Sequence, residues 1–126
     1  MTQEFVLYKQ GLELKELGFD QPCFGLFTRL NNQLLITGMP NQQECEQYFG
    51  GILAPTFSQA LRWFREKYNL PSHIHTIWQH DWNNYSYQWH ITEDKKEWNC
   101  IEHFKNYEKA ELACLIKLIK IVKEKK

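Results

Sequence analysis

Three histidines, His73, His75 and His90, are the side chains best equipped for chemistry in this chain of 126 residues. His73 and His75 sit two apart, and Tyr85-Ser86-Tyr87-Gln88-Trp89-His90-Ile91 alternates with period two, as a strand with two unlike faces does. With Asp81-Trp82-Asn83-Asn84 as a four-residue hairpin loop, His75 falls directly across from His90, and His73 lies two residues along the same face. Three imidazoles so grouped could hold zinc with an open fourth position, as in a small zinc enzyme. Against that, no carboxylate is placed to orient the rings, and a one-residue slip separates them. A solvated polar face is the plainer reading, so no metal ligand and no cofactor is assigned.

Other chemistries find less support. The cysteines at 23, 45, 100 and 114 form no Cys-x-x-Cys pair and read as reduced thiols, with Cys23 and Cys114 in apolar runs. Cys45, on a polar stretch, could be exposed, yet nothing marks a base or an oxyanion hole beside it. Glu44 with Glu46, and Glu93 with Asp94, lie in polar connectors with no source for a raised carboxyl pKa. A phosphate-binding glycine loop, Gly-x-Ser-x-Gly and His-Glu-x-x-His do not occur. No catalytic residue is assigned, and the expectation is a protein that is not an enzyme.

The elements that would position these residues are ordered around one helix, Ala54 to Pro71, with a proline near each end. Pro55 suits a first turn, and Thr56-x-x-Gln59 has the capping-box pattern. Phe57, Ala60, Leu61, Phe64 and Tyr68 form its apolar stripe, while Pro71 ends it. Before it, residues 6–17 predict a helix closed by Gly18, then a hairpin with strands at Cys23–Arg29 and Leu34–Thr37. Residues 41–51 read as a surface loop or one short helical turn. After it comes the 73–92 hairpin, a charged connector over 93–105 and a last helix, Tyr107 to Val122, capped by Asn106. The expected fold is α+β, in the order α-ββ-α-ββ-α: one globular domain, 1–126, with three helices packed on an antiparallel sheet made by merging the two hairpins.

Composition narrows the partners. Basic and acidic residues both number 15, so bulk charge does not argue for nucleic acid. Residues 62–126 nevertheless hold twelve of the basic and nine of the acidic side chains. In that half, Arg62 and Lys67 project away from the helix stripe, Trp63 and Arg65 lie on its opposite flanks, and Trp82 tips the nearby hairpin. Rings beside cations are how single-stranded RNA is commonly held, and they also serve as hot spots for a protein partner. No run reaches the length of a membrane span and no leader is seen at Met1, so a soluble, cytoplasmic protein is expected.

Three blocks, Leu14-Lys15-Glu16-Leu17-Gly18-Phe19-Asp20-Gln21-Pro22-Cys23-Phe24, the Ala54 to Leu70 stretch and Tyr107-Glu108-Lys109-Ala110-Glu111-Leu112-Ala113-Cys114-Leu115, resemble recurrent blocks of small proteins of bacteriophages and prophages of the Bacteroides group. Capping, turns and core packing account for each block, so no catalytic residue is carried over. The resemblance implies an accessory protein that binds a host protein or ribonucleoprotein, in particular an anti-CRISPR-like inhibitor of an RNA-guided nuclease. A single-strand RNA-binding phage protein is the alternative.

Overall fold

The computed structural model describes residues 4–29, 32–38, 40–79 and 81–125; the side chains of residues 48, 49, 78, 79 and 81–85 lie outside that description. The chain forms two compact units, Met1–Gln59 and Ala60–Lys126.

In the first unit α1 spans Tyr8–Glu16. Gly18 takes a left-handed conformation (φ 95°), and the Phe19 N–H reaches back to the Leu14 carbonyl at 2.9 Å, with Leu14, Leu17 and Phe19 all buried. This is the predicted helix and its glycine stop. Strands β1 (Gly25–Phe27) and β2 (Leu34–Ile36) pair antiparallel, Leu26 opposite Leu35, as the hairpin reading requires.

Residues 41–51 hold more order than a loop. Asn41 accepts from the Glu44 N–H at 2.9 Å while the Glu44 carboxylate accepts from the Asn41 N–H at 3.3 Å, a complete capping box on the short helix α2 (Gln42–Glu44). A π-helical turn, Cys45–Phe49, follows and ends on Gly50 at φ 64°. Then β3 (Ile52–Ala54) pairs with the free edge of β1, Leu53 opposite Leu26. Ala54 therefore belongs to a strand rather than to a helix start.

Helix α3 runs Phe57–Tyr68. Thr56 Oγ1 accepts from the Gln59 N–H at 3.1 Å, but the Gln59 side chain donates to the Pro22 carbonyl at 2.8 Å instead of returning to Thr56, so half of the expected box is made. Phe57, Ala60 and Phe64 are buried; Leu61 and Tyr68 are half-buried.

The second unit carries β4 (Ser72–Gln79), β5 (Asp81–Glu93), β6 (Lys96–Asn99) and α4 (Tyr107–Glu124), in the order β4-β5-β6 and all antiparallel. Two features of the reading are corrected here. Asp81–Asn84 is the start of β5, not a loop, and His73 rather than His75 stands opposite His90. Over residues 72–77 and 86–91 the register has slipped by two residues, which leaves those side chains on their original faces, and the pairing shifts again between Trp78 and Gln79; alternation specifies the face but is blind to an even slip. Part of the 93–105 connector is β6, joined to β5 through Asp94-Lys95, with Lys95 at φ 67°.

The α+β class stands, but the hairpins do not merge into one sheet. They are the bases of two separate three-stranded sheets, β2-β1-β3 and β4-β5-β6. Each hairpin adds a strand from its own neighbourhood in sequence, which closes a shorter loop than pairing one hairpin with the other. On the β4-β5-β6 sheet, α4 packs against β4 and β5, burying Ala110, Cys114, Leu115, Leu118, Ile119 and Val122. Asn106 Oδ1 caps it, accepting from the N–H groups of Glu108 (2.8 Å) and Lys109 (3.2 Å).

Candidate functional site

The face of β4 and β5 turned to α4 carries Ile74, Tyr87, Trp89 and Ile91, and β6 adds Trp98 opposite Ile91. Along α4, Ala113, Ile116, Lys117 and Lys120 recur at i, i+3, i+4 and i+7 and so share one stripe. Between this stripe and Trp89, Trp98 and Phe104 lies a groove of about 400 Å³, with Glu102 and Ile101 also lining it. Ala113 is small, which opens the groove between longer neighbours. Lys117 Nζ lies 4.4 Å from the Trp98 ring centroid, a cation–π contact that holds the ammonium in place. Ile101 is 90% exposed and Ile116 47%, so apolar surface stands open beside the two lysines. The groove combines flat rings, a held cation and uncovered apolar surface, which suits binding. Sequence alone does not mark it, because Trp98, Ile101 and Phe104 fall within the charged 93–105 connector.

The outer face of α3 presents Arg62, Arg65 and Lys67, all exposed. Arg62 Nε donates to Glu66 at 2.8 Å, and this contact holds the Glu66 carboxyl below its ordinary range. Trp63 does not project: it is 7% exposed, stacked edge-on to Phe64 (5.2 Å between centroids) and Tyr68 (5.4 Å). The expectation of an exposed ring at this position is corrected, because the buried sector of α3 is wide enough to take in Trp63 as well as the Phe57–Phe64 stripe. Lys67 Nζ lies over the Trp63 ring at 5.1 Å, so the cation covers the ring. The Trp82 side chain lies outside the described residues.

The opposite sheet face gathers the imidazoles. The His73 ring centroid is 5.1 Å from that of His90 and 5.4 Å from that of His75. His90 Nδ1 donates to Asn99 Oδ1 at 2.5 Å. The rings are tilted to one another, by 36° for His73 and His90 and 48° for His73 and His75, and among the described residues no group of three or more His, Cys, Asp or Glu side chains is set to hold a metal ion. Burial, then the neighbouring His90 and His75, push the His73 pKa below its ordinary value. A histidine depressed in the folded state favours its neutral form. Its stabilising effect is therefore complete above the unfolded pKa and is lost as pH falls through the folded one. Proton NMR should show His73 titrating below about 6.5, and His90→Gln should move it part of the way back, since burial remains.

Two further groups are closed to substrate. Ser86 Oγ contacts His103 Nδ1 at 2.9 Å, the first half of a nucleophile–base pair, but Ser86 is only 4% exposed. Cys45 is buried rather than exposed, and burial pushes its thiol upward; Cys23 and Cys114 are pushed up to about 12 by the same cause. These three thiols are protonated at neutral pH and poor nucleophiles. No helix among the described residues is long and apolar enough to cross a membrane. Comparison with protein-family models, with curated proteins and with solved structures finds no match for this chain.

Proposed function

We propose that the chain is a non-enzymatic accessory protein that binds and inhibits a host macromolecule, with an RNA-guided nuclease as the target class that its resemblance to Bacteroides-group phage proteins implies. The observation that supports a binding role on α3 is the exposed set Arg62, Arg65 and Lys67 on a helix whose inner face is anchored by Phe57, Ala60, Trp63 and Phe64. A rigid helix holds these cations at fixed spacing. The arginine fork fits both the carboxylates and the phosphates that a ribonucleoprotein presents. The Arg62–Glu66 pair is fully exposed and screened by water, so exchanging Glu66 for a partner's anion costs little.

The test is the double change Arg62→Glu/Arg65→Glu, with tagged protein used to capture its partner from host extract. The double variant should melt as the parent does, because both positions are exposed, and should lose the captured complex. A folded double variant that retains the whole complex overturns the assignment of this surface.

A further inference from the structure

We infer that the groove between the β5–β6 edge and α4 holds a single-stranded nucleic acid, with a base stacked on Trp89 and Phe104 and the adjoining phosphates on Lys117 and Lys120. This deepens the binding reading and rests on it only in that the molecule works by holding a macromolecule; the surface is separate from the α3 cations.

Three observations carry it. The first is the ring content: Trp89, Trp98 and Phe104 line one groove of about 400 Å³, and all three are partly open to solvent. Stacking on a flat ring is the main sequence-tolerant source of affinity for single strands. Lys117 lies over Trp98, so Trp89 and Phe104 are the rings left for a base.

The second is the charge. Lys117 and Lys120 are one turn apart on α4, and among the described residues neither is paired with a carboxylate. Lys117 is held by its ring contact, so part of the ordering cost of gripping a phosphate is already met.

The third is Glu102, the one carboxylate among the described residues of the lining. It can accept a hydrogen bond from the exocyclic amino group of cytosine. An acidic protein segment uses the lysines and leaves the rings without a role. A nucleotide uses all three features.

The experiment is a tryptophan-fluorescence titration of the whole chain with a short oligocytidine RNA, its DNA counterpart and a polyglutamate peptide, at low and moderate salt. The RNA or the DNA should quench the fluorescence, and the difference between those arms identifies the strand type. Two phosphate contacts should give a slope of log affinity against log salt of about −1.4, falling by about 0.7 in Lys117→Ala. Phe104→Ala should weaken binding by about 5- to 150-fold, the range for losing one stacked base. Lys117→Glu/Lys120→Glu, both on the helix surface, should abolish binding while the melting curve is kept.

Ala113→Leu, which fills the groove without removing a ring or a charge, should also abolish binding, and so guards against a Phe104 variant that fails to fold. No quenching by either oligonucleotide at low salt overturns the proposal, as does polyglutamate binding with the same dependence on Lys117. If the groove variants lose the oligonucleotide but still capture the host complex, the two surfaces act separately. If the oligonucleotide fails while capture through Arg62 and Arg65 holds, only the groove assignment falls.

Discussion

Gly51→Ala should detach β3 from β1 and strip the first unit of its third strand. A Cβ at Gly51 would stand 1.7 Å from the Phe27 carbonyl oxygen and 2.9 Å from its carbon, both backbone atoms that no rotamer change can move. Phe27 pairs with Ile52 in the ladder, so the strand must shift at its first pair. Overpacking in a core typically costs about 1–3 kcal/mol, and a clash between backbones belongs at or above the top of that range. Gly38→Ala supplies the contrast, since nothing lies within 4 Å of its added methyl, and a change of less than about 0.5 kcal/mol is expected. Urea unfolding measures the totals. Hydrogen exchange at the amides of Ile52 to Ala54 shows whether the strand has come away, and unchanged protection there would contradict the close-approach account.

Phe64→Ala should have an effect as large, but in the second unit. Phe64 is fully buried, with its ring 5.2 Å from Trp63 and 5.8 Å from Tyr68, centroid to centroid. Truncating a buried Phe removes its transfer energy and leaves a cavity, together about 3–5 kcal/mol. Against a typical total stability of about 5–15 kcal/mol, that leaves a marginal protein. The neighbouring Arg65→Ala changes an exposed residue and should move stability little. The pair separates the two roles of α3: Phe64→Ala should lower stability, and Arg65→Ala should lower partner capture alone. If Phe64→Ala leaves the melting temperature within a degree or so of the parent, the inner face of α3 is not the anchor described.

What was legible in the sequence follows from how each signal works. Helices α1, α3 and α4 were legible because periodicity and end signals agree: Gly18, Thr56 and Asn106 each make the backbone contact their type suggests. The two faces of β4 and β5 were legible because alternation has period two. Their register was not, since Ser72 opposite Ile91 and a partner two residues away satisfy the same alternation. The strands β3 and β6 were hidden for a different reason. Ile52-Leu53-Ala54 runs straight into the cap of α3, and Lys96 to Asn99 is mostly polar because it lies at a sheet edge.

The candidate surfaces divide in the same way. Arg62 and Lys67 were placed outward by helical spacing alone, and Arg65 on a flank of the stripe; all three are exposed. Trp63 was misplaced because spacing locates the centre of a stripe but not its width, and a large ring at the margin is drawn inward where rings such as Phe64 and Tyr68 wait for it. The groove at Trp89, Trp98 and Lys117 is built from residues 28 positions apart, brought together by β6, and no local pattern marks it.

The most direct measurement is to titrate the purified protein into a reconstituted RNA-guided nuclease from a Bacteroides-group host and follow target cleavage. The account predicts that cleavage falls in proportion to added protein, stops at a fixed ratio of inhibitor to complex, and recovers with Arg62→Glu/Arg65→Glu. Undiminished cleavage at a large excess of protein, or inactivation that continues at amounts far below the nuclease, would contradict a stoichiometric binder.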